Sequence, residues 1–118
     1  MTNYQIVIAE VLLQRTKAEI VEDFYPAFIS AFSGWEPIAK SNINELVEFL
    51  RPIGLQKQRG ERLKNLALEM CKRNGKFPRD REELESIPFL GQYIANAIES
   101  IIFGKASPLL DINMARFL

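Results

Sequence analysis

Histidine is absent from this chain of 118 residues, and cysteine and tryptophan occur once each. Without histidine the commonest metal ligand and the usual general base are gone. Any acid–base chemistry must then rest on carboxylates, tyrosine, lysine or water. The single Cys71 excludes an internal disulfide framework and a cysteine-only metal site, and it reads as an inert core thiol. No apolar run approaches the roughly 18 residues of a membrane span, and no signal-peptide pattern opens the chain, so a cytoplasmic protein is expected. Long enough for one core and too short for two, residues 1–118 read as a single domain. Apolar content of 47% and charged content of 25% are ordinary for a globular protein.

Net charge is missing too: fifteen basic groups balance fifteen acidic ones. The balance conceals a segregation. Residues 1–54 carry four basic and seven acidic groups, and 82–118 carry two and five. The middle, 55–81, holds nine basic groups (Lys57, Arg59, Arg62, Lys64, Lys72, Arg73, Lys76, Arg79, Arg81) against three acidic. A solvated helix face accounts for such a run, and so does a nucleic-acid footprint.

Alternation with period two is lacking, as are repeats and low-complexity tracts, and the pattern reads as all-α, about seven short helices. Residues 4–15 are apolar nearly all round and predict a buried central helix. Thr16, with Glu19 three residues on, reads as a capping box for a helix to about Phe32, bent at Pro26 and closed by Gly34. Ser41 can cap a helix ending at Leu50, and Pro52, Ile53 and Gly54 turn the chain. A long helix is expected over 56–74, with Leu63, Leu66, Ala67 and Met70 as its apolar face and Gly75 as its stop. Asp80 can cap a short helix to Ser86. An apolar hairpin at 88–91 follows, then a helix over about 92–103 with Gly104 as its cap. Pro108 leads to Asp111 at another N-cap position. Trp35 and the eight phenylalanines read as core.

Three features carry chemistry. The first is the hairpin of Pro88, Phe89, Leu90 and Gly91, opening through Gln92 into a helix. It would offer N–H groups and a positive helix end to one phosphate, directly or through a monovalent cation; an ordinary connection between core helices is the plainer alternative. The second is Glu10, a carboxylate set among Ile6, Val7, Ile8, Ala9, Val11, Leu12 and Leu13. It is costly unless paired, protonated or lining a pocket; burial would raise its pKa and suit it to general-acid work, whereas a narrow polar stripe would leave it idle. The third is Asp111, about twenty residues beyond the hairpin: either a plain cap or an ionised group that stabilises developing positive charge on a sugar. Gln14 with Arg15, and Leu55 with Gln56, close one helix and precede another. Each pair is either an exposed helix end or a wedge that fills the gap left by a flipped base.

Together these residues resemble the helix–hairpin–helix glycosylase superfamily, over nearly the whole chain. The run from Ala9 through Glu10 to Thr16 resembles the helix that carries the catalytic glutamate in the adenine glycosylases. Residues 53–59 (Ile53, Gly54, Leu55, Gln56, Lys57, Gln58, Arg59) resemble the family's wedge loop, closest in Gln58 and Arg59 to the archaeal mismatch thymine branch. Phe103, Gly104 and Lys105, followed by Leu109, Leu110, Asp111, Ile112, Asn113, Met114, Ala115 and Arg116, resemble the stretch that ends in the catalytic Asp. The resemblance implies a six-helix barrel containing a helix–hairpin–helix. Asp111, Glu10 and Tyr93 would be its catalytic groups, and Pro88–Gln92, Gln14, Arg15, Leu55, Gln56, Arg59 and Asn113 its DNA contacts.

Tyr93 stands where the bifunctional members, typified by endonuclease III, place the lysine that forms a Schiff base. A tyrosine cannot do that chemistry. The resemblance therefore implies monofunctional hydrolysis of the N-glycosidic bond of thymine or uracil opposite guanine, with adenine opposite guanine or oxidised guanine as the alternative. A non-catalytic helix–hairpin–helix DNA-binding module is a further one. The partner implied is duplex DNA holding a mismatched or damaged base, bound by a monomer at the nucleoid. Two departures stand out. Phe89 replaces the hairpin's usual first glycine, which loosens the phosphate clamp. The family's four-cysteine iron–sulfur loop lies beyond the catalytic Asp, so no cofactor is expected in this chain and a cluster only in a longer protein. On this basis the chain is expected to be a fragment, without the terminal helices.

Overall fold

In a computed structural model the protein is described for residues 2–87, 90 and 92–104, with backbone only for 92, 93, 100 and 101. The described residues are helical, with no strand among them. Helix α1 (Asn3–Leu13) starts with a capping box: the Thr2 hydroxyl accepts from the Gln5 amide at 3.1 Å while the Gln5 side chain accepts from the Thr2 amide at 2.9 Å. It is the buried central helix expected, with Tyr4 and every residue from Ile6 to Leu12 enclosed. Arg15, at φ +62°, ends its course by entering the left-handed region.

Helix α2 (Ala18–Ala31) begins two residues after Thr16, and Lys17 occupies its N-cap without a side-chain bond. The capping box expected at Thr16 is therefore not formed, because the Thr16 hydroxyl accepts from the Arg59 guanidinium instead. Pro26 lies inside α2, which continues past it to Ala31. Phe24, Phe28 and Phe32 on α2 pack with Phe49 in one aromatic group, centroids 5.1–6.0 Å apart.

Helix α3 (Trp35–Lys40) was not expected from the sequence, where Gly34 read as the close of the preceding helix. Gly34 is its N-cap, and Pro37 sits in the first turn, where a missing amide costs no intrahelical bond. Helix α4 (Ile43–Leu50) takes Asn42 as its cap, accepting from the Asn44 amide at 2.8 Å. Ser41 instead donates back to the Ile38 carbonyl at 2.6 Å.

A single 3₁₀ turn, Arg51–Ile53, carries the chain through Gly54 (φ +78°) and Leu55 (φ +50°) into α5 (Gln56–Lys72). Leu63, Leu66, Ala67 and Met70 form its buried face, as the periodicity predicted. Cys71 does not belong to it: one residue past Met70 the helix has turned away by about 100°, and the thiol is exposed. Both α3 and α4 pack on α5, while α1 packs against α2 and the C-terminal helices. Helix α6 (Arg81–Glu85) is capped by Asp80, whose carboxylate accepts from the Glu83 amide at 3.0 Å. Helix α7 (Gln92–Ala97) widens into a π turn, Ile98–Ile102, where the sequence suggested one regular helix, and Gly104 at φ +68° follows. One apolar core joins all seven helices.

Candidate nucleic-acid interface

The turn after α1 and the turn before α5 lie side by side. Gln14, Arg15, Leu55, Gln58, Arg59 and Arg62 line one hollow of about 100 Å³, closed at its base by Val11. Both segments proposed as wedges, some forty residues apart in sequence, thus meet at one place. Each contains a non-glycine residue in the left-handed region, Arg15 and Leu55. Such strain persists only where the surroundings impose it, and it concentrates at functional sites. Leu55 is 46% exposed although its side chain is large and apolar.

Arg59 bonds to both turns. Its side chain is 4% exposed. Nη1 donates to the carbonyls of Ile53 (2.9 Å) and Gly54 (3.0 Å), and Nη2 donates to the Gln14 carbonyl (2.6 Å) and the Thr16 hydroxyl. Burial first, and the charge of Arg15 second, lower its pKa. The DNA contact expected of Arg59 is thus not available from its guanidinium, which is spent on holding the two turns. Arg15 and Arg62 are the exposed cations of the hollow, and Gln56 opens α5 beside it. Gln58 was named from the sequence only within the wedge-loop resemblance and Arg62 only within the basic block, neither as a site residue. The signal was there, since Leu55, Gln58, Arg59 and Arg62 fall at i, i+3, i+4 and i+7 on one helix face.

The basic middle segment is not one footprint. Lys64 donates to the carbonyls of Ala39 (3.1 Å) and Ser41, securing the end of α3. Arg73 bridges Glu69 (3.2 Å) and Glu83 (3.0 Å), Arg81 pairs with Glu85 (3.1 Å) and Glu99, and Arg79 lies 4.9 Å over the Phe103 ring. More than half of the nine cations therefore serve the fold.

Glu10 is 1% exposed, which removes the reading of an idle surface stripe. It sits one helical turn before Gln14, so the same face of α1 leads from the buried carboxylate towards the hollow. Helices α6 and α7 pack against each other, and Ile87 and Leu90 between them are buried. The Leu90 amide donates to the Ile87 carbonyl at 3.2 Å, so it closes the turn instead of remaining open for a phosphate. Gln92 and Tyr93 open α7. Pro88, Phe89, Gly91, Asp111 and Asn113 lie outside the described residues, and with them the expected cation site of the hairpin. A four-thiolate iron–sulfur cluster does not fit the residues present, since Cys71 is the one cysteine of the chain.

An all-helical array of described residues in which two strained turns meet at a basic hollow is the frame expected of a helix–hairpin–helix DNA repair protein. The chain belongs to the HhH-GPD superfamily of base excision DNA repair proteins, whose profile it matches over residues 8–118. It is 33% identical over 96% of its length to a thymine/uracil-DNA glycosylase of Pyrobaculum aerophilum, covering 50% of that protein. It is 35% identical to a thymine/uracil-DNA glycosylase of Methanothermobacter thermautotrophicus, with 96% of this chain and 52% of the relative covered. An adenine DNA glycosylase of Homo sapiens is 32% identical over 98% of this chain and 21% of its own length. The fold superposes on a thermostable thymine-DNA glycosylase with TM-score 0.84, 35% identity and coverage of 97% of this chain and 53% of the other. A trapped endonuclease III–DNA covalent intermediate gives TM-score 0.80 at 25% identity, with 95% of this chain and 54% of the other covered. The chain thus spans about half the length of the thymine/uracil relatives it matches.

Proposed function

We propose that the chain forms the six-helix barrel half of a monofunctional DNA glycosylase that hydrolyses the N-glycosidic bond of thymine or uracil opposite guanine. The observation that carries this is the convergence of Gln14, Arg15 and Leu55 on one basic hollow, in a chain whose relatives include thymine/uracil-DNA glycosylases. Leu55 enters the duplex as a wedge, Gln14 occupies the space of the departing base, and Arg15 and Arg62 hold the flanking phosphates. Asn113 and the hairpin residues 88–92 add backbone contacts on the same strand. The flipped base leaves with a proton, supplied or oriented by Glu10. Asp111, ionised, stabilises the oxocarbenium-like sugar while water adds to its anomeric carbon. Tyr93 lines the base pocket and supplies no amine, so the product is an abasic site with an intact strand. Such a substrate places the protein with the genome.

Adenine excision is the second reading, favoured by the similarity to adenine DNA glycosylases. Single-turnover base release from G·T, G·U, A·G and A opposite oxidised G, followed by alkali, separates the two. Release of T or U, with strand cleavage only after alkali, is expected. Release of A would install the second reading, and binding without release in any duplex would leave a DNA-binding module. Asp111→Asn should slow release at least about 100-fold while binding stays within a few-fold; full activity in that variant would remove Asp111 from the mechanism.

A further inference from the structure

We propose that Arg59 is a positioning residue, a clamp that sets the two turns of the hollow into one rigid unit and holds Arg15 and Leu55 in their left-handed conformations. What those turns do to DNA rests on the reading above; how they are held does not.

The carbonyls that Arg59 grips are not arbitrary ones. The Gln14 carbonyl belongs to the peptide group that leads into Arg15, and the Gly54 carbonyl to the one that leads into Leu55. Holding that peptide plane restrains one side of the φ rotation of the residue that follows it. Arg15 at φ +62° and Leu55 at φ +50° both occupy backbone that an L-residue with a Cβ enters only uphill. One guanidinium therefore restrains both strained residues at once. Its two edges serve different turns: Nη1 takes Ile53 and Gly54, and Nη2 takes Gln14 and Thr16.

Chemistry selects arginine here. A planar fork presents donors in two directions at a fixed spacing, whereas an ammonium is a single point. Lys64, on the same helix, shows what a lysine achieves: it holds two carbonyls, of Ala39 and Ser41, within one local stretch of chain. Arg59 spans two turns, reaching one of them across a sequence separation of 45 residues. It also explains why Thr16 does not cap α2, since its hydroxyl completes the clamp.

The test compares Arg59→Lys with Lys64→Met as a stability control on the same helix, and with Thr16→Val, which removes one acceptor and preserves the fold. Amide exchange is followed in residues 14–16 and 53–55, and flipping is followed with 2-aminopurine placed beside a G·T mismatch. For Arg59→Lys we expect exchange in both turns to rise about tenfold with the buried half of α5 unchanged. The flipping signal and single-turnover release should fall at least about tenfold, and affinity for intact duplex should stay within about twofold. Thr16→Val should loosen the turn at 14–16 alone, and Lys64→Met neither turn. Unchanged exchange in Arg59→Lys, or equal loss of flipping in the stability-matched control, would overturn the clamp. Loosened turns with wild-type flipping would overturn its positioning role. Loosened turns in a protein whose wild type never flips a base would uphold the clamp and overturn the glycosylase reading.

Discussion

Leu55 shows how one residue can be poor for the fold and useful to a site. It has a left-handed backbone, is 46% exposed, and occupies the N-cap of α5 without any side-chain capping bond. Glycine at this position would relieve a conformational cost of about 1–2 kcal/mol. It would also lose the half-buried part of the side chain and gain unfolded-chain entropy, each worth roughly 1 kcal/mol. These terms nearly cancel, so Leu55→Gly should leave thermal stability within about 1 kcal/mol. Mismatch-specific binding should nonetheless fall about tenfold, because the wedge is gone. Equal loss in stability and in binding would mean that Leu55 is ordinary packing.

At the scale of elements, close approach and buried phenols decide what holds. A Cβ on Gly60 would come within 2.7 Å of Val47 Cγ2 and 3.6 Å of its Cα, so α5 lies against α4 at a distance only glycine allows. Alanine gains about 1 kcal/mol of helix propensity but overpacks a contact worth about 1–3 kcal/mol, and a β-branched valine in a helix has no second rotamer to retreat to. Gly60→Ala should therefore lower Tm by roughly 5 °C; a rise would show that the helices can part freely. The α1–α2 contact carries a pH signature. Tyr25 donates to the Gln5 carbonyl at 2.8 Å, and burial pushes its pKa up from 10.0 to about 12. A raised phenol favours the neutral form in the fold, so its contribution is complete below pH 10 and is lost as pH climbs towards 12. Denaturant melts across that window should show the decline, and Tyr25→Phe should reduce it while leaving the part that Tyr4 contributes. Tyr4, donating to the Phe32 carbonyl at 2.6 Å, is raised further for the same reason. The helices were legible wherever periodicity and local caps agree, as at α1, α5 and Asp80. They were illegible where a distant partner decides. Thr16 looks like a cap until Arg59, forty-three residues away, takes its hydroxyl. Gly34 looks like the close of α2 until it becomes the N-cap of α3.

For the whole molecule, charge is where sequence and structure part most usefully. The segment 55–81 reads as a block of nine cations, yet Arg59, Lys64, Arg73, Arg79 and Arg81 hold turns, helix ends, carboxylates and a ring. Lys72 and Lys76 are exposed at and beyond the far end of α5, Lys72 about 15 Å by helix rise from Arg62 at the edge of the hollow. The exposed cations of the hollow are Arg15 and Arg62, and Lys57 is exposed in the first turn of α5. Each phosphate neutralised contributes about 0.9 to the salt slope, so three contacts give about −3 where all nine cations of the block would give about −8. Titrating duplex binding against salt should return the shallow value. Arg15→Gln, Lys57→Gln and Arg62→Gln should each reduce it by about 0.9, and Lys72→Gln and Lys76→Gln should not change it. A steep slope sensitive to Lys72 would move the DNA along α5 and away from the hollow. A shallow slope carried by Arg15 and Arg62 would leave affinity resting on shape, hairpin amides and the wedge, which is how a protein of zero net charge could grip a polyanion.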